Sequence, residues 1–224
     1  LKGADSDLHS DVFGGAVPNP GMELARILAQ LKDENERVTV PGFYDDVADL
    51  TEQEREAYAA LPFDNEEFRS GLNVPGLSGE TGYSPLEQRT ARPTLEVNGM
   101  LCGYTGPGSK TVLPSRAMIS CRLVPNQNPK KIAELLEKHV RSLCSPNVEC
   151  QITARHGGHP WITPPDHPAL EAAAQAVRAV YGKDPVRVRE GGSIPIVVDF
   201  QNILGLPGIL LGFGLNDENL HAPD

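Results

Sequence analysis

The residues able to do metal or acyl-transfer chemistry are scattered along the chain, and the last of them stands out most. The stretch GFGLNDENLHAPD places one imidazole, His221, in a glycine-punctuated turn closed by Pro223. That is a setting from which histidine binds a metal ion. A catalytic zinc takes about three protein ligands from His, Asp and Glu, and a two-zinc site takes more. The other histidines offer less. His139 lies beside the apolar stripe of a helical pattern, and His167 stands next to Asp166 at a helix start. His156 and His159 share HGGHP, whose spacing could chelate, but a glycine turn between two elements with exposed imidazoles explains it better.

Anion recognition is the second chemistry on offer. In REGGSIPIV a short strand ends at Glu190, two glycines bend the backbone, and Ser193 stands at an N-cap with Pro195 in the first turn. The N–H groups around Gly192 and Ser193 would then face a carboxylate at the positive end of a helix dipole. A capped helix after a tight turn has the same sequence, so spacing alone leaves both open. Arg122 projects from the polar face of a predicted strand, and Thr111 precedes it in the Gly/Pro loop GPGSKTVLP. An arginine so placed either clamps a carboxylate bidentately or stands in solvent.

These residues depend on elements with clear punctuation. NPGMELARILAQL offers Asn19 as N-cap and Pro20 at the first helical position, with Leu24, Ile27, Leu28 and Leu31 on one face. NPKKIAELLEKHVRSL repeats the device with Asn128 and Pro129, and DHPALEAAAQAVRAVYG gives a third helix ending at Gly182. AMISCRLVP alternates Ile119, Cys121 and Leu123 against Met118, Ser120, Arg122 and Val124, and VECQITAR alternates in the same way. With TLEVNGMLCGY and the opening LKGADSDLHS, the order is strand, helix, strand, strand, helix, strand. This predicts an α+β layer: a four-stranded antiparallel sheet with two helices on one face. A helical, acidic insert over 33–93 interrupts it, with a capping box at Thr51 and Glu54 and a further start at Ser84 and Pro85. The charge of the insert reads as a solvated face, with no chemistry assigned.

Beyond about Gly158 the pattern changes to helix, short strand VRVRE, helix SIPIVVDFQNIL and apolar strand PGILLGF, the grammar of a parallel, doubly covered sheet. Two such strands cannot stand alone, because each leaves an open edge.

Composition narrows the function classes. The net charge of −10 and the lack of any Lys/Arg run argue against nucleic acid as a partner. No apolar stretch approaches the roughly 20 residues needed to span a bilayer, and LKGADSDLHSDVFGG is not a secretory signal. A cytoplasmic location is expected. Cys102, Cys121, Cys144 and Cys150 show no CxxC spacing and read as reduced and structural; a Cys144–Cys150 bridge is disfavoured in that compartment.

Taken together, DLHSDVFGGAVPNP, VPGFYDDV, SPLEQRTARPTLEVNGM, GYTGPGSKTVLPSRAMISCRLVPNQNP, REGGSIPIV and GFGLNDENLHAPD resemble, in this order, the di-zinc metallopeptidases that include carnosine dipeptidase, aminoacylase and succinyl-diaminopimelate desuccinylase. The insert, TLEVNG and GSKT resemble the carnosine dipeptidase branch most. The resemblance implies a lid or dimerisation domain over 1–158 and an incomplete C-terminal portion of the zinc-binding α/β domain over 159–224. It implies that the chain is a fragment, since the upstream HxD, Glu-Glu and aspartate ligands of the family are not found in it. His221 then matches the last zinc ligand, and Gly192 and Ser193 match the backbone site for the substrate carboxylate. Thr111 and Arg122 match lid residues holding the same end of the substrate. His9 matches the lid histidine that reaches the neighbouring subunit's active site and stabilises the oxyanion, a role that requires a homodimer. Thr90 departs from the tryptophan common before ARPT, and Asp224 from the asparagine that usually follows HAP.

The implied reaction is hydrolysis of a dipeptide or acylated amino acid by a two-zinc enzyme, with the isolated chain inactive. Alternatives are an acylamino-acid deacylase of the same family, a self-association module without catalysis, or a mononuclear zinc hydrolase built from His156, His159 and His221.

Overall fold

The computed structural model describes residues 1–111, 114–155, 157–189, 194, 196–206 and 208–212. In chain order its elements are β1 (Leu8–His9), α1 (Ser10–Phe13), α2 (Pro20–Ala29), α3 (Glu52–Ala59), α4 (Asn65–Gly71) and α5 (Pro85–Ala91). They are followed by β2 (Thr94–Leu101), β3 (Lys110–Thr111), β4 (Arg116–Arg122), α6 (Pro129–Leu143), α7 (Pro168–Tyr181) and α8 (Ile196–Leu204). Two units are distinguished: Leu1–Pro160 with Arg187–Ser193, and Trp161–Val186 with Ile194–Asp224.

The asparagine–proline starts of the first unit form as their chemistry dictates. The Asn19 side chain accepts from the N–H groups of Gly21 and Met22 at 2.9 and 3.2 Å. Asn128 does the same for Lys130 and Lys131 at 2.9 and 3.3 Å. Each cap satisfies donors that a helix start leaves unpaired. The two helices then cover one face of the β2–β4 pair. Leu31, Val38, Val40, Phe43, Leu95 and Ile132 form the buried core, with Leu28, Ile119, Cys121, Leu123, Leu135, Leu136 and Val140 packed around it. Each fully buried side chain of this size contributes roughly 1.5–3 kcal/mol of transfer free energy. The loop after Gly42 is tied in by Gln127, whose Oε1 accepts from Val124 N–H at 2.9 Å and whose Nε2 donates to Phe43 O at 2.8 Å.

The four-stranded sheet is not formed among the described residues. Instead there are two two-stranded antiparallel sheets, β1–β3 and β2–β4. β2 and β4 pair from Thr94↔Arg122 to Leu101↔Arg116, with a bulge between Val97 and Gly99. Of the predicted first strand only β1 forms a ladder; elsewhere it and the predicted last strand keep isolated contacts, Leu1 exchanging backbone hydrogen bonds with Ser115 at 2.7 and 3.0 Å and Lys2 with Glu149 at 2.9 and 2.7 Å. Beyond the β1–β3 and β2–β4 pairs, the opening segment is tied to the residues before β4 and to Glu149 by isolated bonds and not by a ladder. The first strand fails over Gly3–Asp7, where glycine, serine and aspartates have poor strand propensity and Lys2 binds back to Asp5 at 2.5 Å.

Within the acidic insert the capping box is present, with Thr51 N–H to Glu54 Oε2 at 2.8 Å and Glu54 N–H to Thr51 Oγ1 at 3.2 Å. Its charge is not only a solvated face. Glu80, Glu87 and Arg92 are buried, and Arg92 donates to both Glu80 oxygens at 3.0 and 2.8 Å.

In the second unit, α7 is capped by His167 itself, whose Nδ1 accepts from Ala169 N–H at 3.1 Å, and ends at Gly182 with φ 67°. The described residues of VRVRE and PGILLGF form no strand. A parallel strand acquires a ladder only from a neighbouring strand, and the described residues supply none. Tyr181, Phe200, Ile203 and Leu204 consequently stay exposed. No helix among the described residues is long and apolar enough to cross a membrane.

Candidate functional site

His9 ends β1 and is also the N-cap of α1, a dual position that leaves it exposed at the sheet end. Its Nδ1 accepts from Asp11 N–H at 3.2 Å. Across the ladder His9 faces Lys110 and Leu8 faces Thr111. Thr111 is thus a strand residue and not a loop residue; its Oγ1 donates to Leu8 O at 3.4 Å. Lys110 Nζ lies 3.3 Å from Asp7 Oδ2 and 4.7 Å from the centroid of the Tyr104 ring. The fold therefore brings His9 and Thr111 onto adjacent strands, with a cation and aromatic ring beside them.

Arg122 ends β4 opposite Thr94, on the face away from the core, and is exposed. Strand alternation alone places it there. It belongs to a different ladder from His9 and Thr111. Gly192, Ser193 and His221 lie outside the described residues, as do His156 and Glu190. His159 is exposed. Among the described residues no group of three or more His, Cys, Asp and Glu side chains is placed to hold a metal ion.

Sequence reasoning missed a polar assembly that joins the insert to the segment preceding the predicted carboxylate turn. Arg189 donates from Nε and Nη2 to the two Glu54 oxygens at 2.8 and 2.9 Å, and from Nη1 to Ala48 O at 3.2 Å. Its N–H donates to Tyr58 Oη at 3.0 Å, and Tyr58 Oη shares a 2.7 Å hydrogen bond with Thr90, which in turn donates to Leu86 O at 2.9 Å. Burial pushes the Glu54 carboxyl up, but the bonds from Arg189 and Thr51 and the arginine charge outweigh it and hold the group below the usual range. Burial pushes the Tyr58 phenol up. Partners 32 and 135 residues apart leave no spacing signal in a sequence. Only the coincidence of a departure at Thr90 with an arginine next to EGGS points to it.

Residues 1–148 match the family described as Peptidase dimerisation domain. The chain belongs to that family. A Cys-Gly metallodipeptidase of Saccharomyces cerevisiae is 34% identical over 228 residues, covering 99% of this chain and 47% of the relative. A Beta-Ala-His dipeptidase of Homo sapiens is 33% identical over 227 residues, covering 99% and 45%. Among solved structures, a metallo-carboxypeptidase from Sulfolobus solfataricus superposes with a TM-score of 0.78 at 36% identity over 92% of this chain and 53% of its own. Human carnosine dipeptidase 1 gives a TM-score of 0.74 at 33% identity, over 91% and 44%. The chain spans about half the length of the curated relatives it matches. These relatives are peptide hydrolases, and the names of two of them imply a metal ion.

Proposed function

We propose that the chain supplies the dimerisation lid and an adjoining catalytic segment of a zinc-dependent, cytoplasmic dipeptidase. The match of residues 1–148 to the dimerisation family carries this reading. The lid is assigned to 1–158 and the catalytic portion to 159–224. Two zinc ions would polarise the peptide carbonyl and supply the attacking hydroxide in the complete enzyme. His221 is the residue of this chain assigned to zinc. One imidazole does not make a zinc site, and the described residues offer no further ligand group.

In a homodimer, the lid of one subunit presents His9 to its partner's reacting carbonyl. There an N–H donor stabilises the charge that develops on oxygen in the transition state. Arg122 and the Thr111 hydroxyl bind the free carboxylate of the dipeptide, together with the backbone around Gly192 and Ser193. That clamp sets the scissile bond by its distance from the terminus, which suits dipeptides or acylated amino acids better than long chains.

Sedimentation equilibrium on the purified chain, paired with a zinc-supplemented dipeptide hydrolysis assay, tests the reading. A dimer without turnover is expected. A monomer at tens of micromolar, or hydrolysis at enzyme-like rates by this chain alone, would overturn it.

A further inference from the structure

His9 does two jobs at once, and the first constrains the second. As N-cap of α1 its ring accepts a hydrogen bond from the backbone N–H of Asp11, 3.2 Å from Nδ1. A backbone amide has one hydrogen and no available lone pair, so it can only donate. Nδ1 must therefore carry a lone pair. In the neutral ring the proton then resides on Nε2, which has no hydrogen-bond partner among the described residues. We infer that the Asp11 amide locks His9 as the Nε2–H tautomer, making it a hydrogen-bond donor, and never a general base, toward a substrate oxygen.

One group pulls the other way. The Asp11 carboxylate lies 3.9 Å from Nδ1 and would favour a proton there, were it close enough to accept one. It is beyond hydrogen-bond range, and Ser10 Oγ donates to its other oxygen at 3.4 Å. The amide at 3.2 Å therefore decides the tautomer. Lys110, opposite His9 in the ladder, is engaged by Asp7 at 3.3 Å and offers no acceptor. With its side chain 57% exposed, the imidazole is open to solvent at the strand end. An oxyanion needs a preorganised donor that does not lose a proton to it, and this arrangement provides one. Asp11 thus acts through His9 as a positioning residue, by its main chain and not its side chain.

The consequence for catalysis rests on the proposed role of His9 at a partner's oxyanion; the tautomer itself does not. Long-range nitrogen–proton NMR of the ring, recorded on the whole chain above the titration range of histidine and assigned by the signals lost in His9→Gln, reads the tautomer without any activity. The expected result is a single Nε2–H species. Asp11→Asn, which keeps the amide, should leave it unchanged. Asp11→Pro, which removes the N–H at a first-turn position that tolerates proline, should raise the Nδ1–H fraction roughly fivefold, the factor an ordinary hydrogen bond is worth. An Nδ1–H or evenly mixed ring in the native chain overturns the inference, and so does a ring unaffected by Asp11→Pro when circular dichroism shows that variant folded. If the tautomer is as expected but His9→Gln leaves turnover of the complete dimeric enzyme unchanged, the catalytic reading of His9 fails while the tautomer assignment stands.

Discussion

Glu80 is 6% exposed and holds the guanidinium of Arg92, itself 3% exposed, with hydrogen bonds of 3.0 and 2.8 Å, while accepting a third from Arg37 at 2.6 Å. Glu80→Gln keeps the shape and deletes the charge, leaving a buried cation facing an amide that is part donor. Losing one member of a buried pair costs about 3–5 kcal/mol, because the surviving charge stays desolvated. Arg92 keeps Asp49 at 3.2 Å and the faces of Tyr83 and Tyr44 at 4.3 and 5.2 Å, which place the cost at the low end, about 3 kcal/mol. For a domain of this size that corresponds to a fall in Tm of roughly 6–12 °C. Circular dichroism during thermal unfolding measures it, alongside the double variant Glu80→Leu with Arg92→Met. Replacing both charges by apolar groups removes the desolvation problem and should restore most of the loss. A double variant as unstable as Glu80→Gln, or a single variant within about 1 kcal/mol of the native chain, would refute the reasoning that the unpaired charge sets the cost.

Three other perturbations follow from the geometry. Phe43 is 1% exposed and packs edge-on to Tyr44 at 5.2 Å, so Phe43→Ala should cost about 3–5 kcal/mol in urea unfolding; a loss under about 1 kcal/mol would mean the core is elsewhere. The Glu54 carboxyl is held below the usual range by Arg189, so the stability it contributes is present above the ordinary Glu value near 4.3 and is lost as pH falls through its lower folded value. Glu54→Gln should therefore flatten the acid side of a urea-midpoint profile and leave its neutral side parallel to that of the native chain. Burial pushes the Cys121 thiol up to about 11, and burial with a hydrogen bond to Cys150 pushes Cys144 up to about 12. At pH 8 both should alkylate at least about tenfold more slowly than a free thiol, since the thiolate is the nucleophile; mass-mapped iodoacetamide labelling that finds either at the free rate contradicts this.

What the sequence disclosed was local. Asn19–Pro20 and Asn128–Pro129 announce α2 and α6 because a cap and its first turn are contiguous in the chain. The alternation of β4 places Ile119 and Cys121 inward and Arg122 outward, because side chains on a strand have period two. Pattern reading overextends the opening strand, because apolar Leu1 and Leu8 bracket residues that bend and the ends outweigh the middle. DHPAL announces α7, and its cap is His167, since an imidazole nitrogen accepts from an amide as an oxygen does. The Arg189 assembly leaves no spacing signal in the sequence because its partners come from 48, 54 and 58, and charge pairing over such separations has no period. Of the candidate site, the placement of His9 beside Thr111 emerges only from the ladder.

Gln127 has a meaning outside thermodynamics. Both ends of its amide are used, one as acceptor for Val124 and one as donor to Phe43, in a position 2% exposed. Glutamate would lose the donor, leucine would orphan both backbone groups, and asparagine would fall short by a methylene. A mutational scan scored only for folding would mark this residue as intolerant as any catalytic group, because both its bonds go to the main chain. Intolerance to substitution in this domain is therefore a poor guide to chemistry, and an inventory of its essential residues would mix scaffold with site unless the assay separates abundance from turnover.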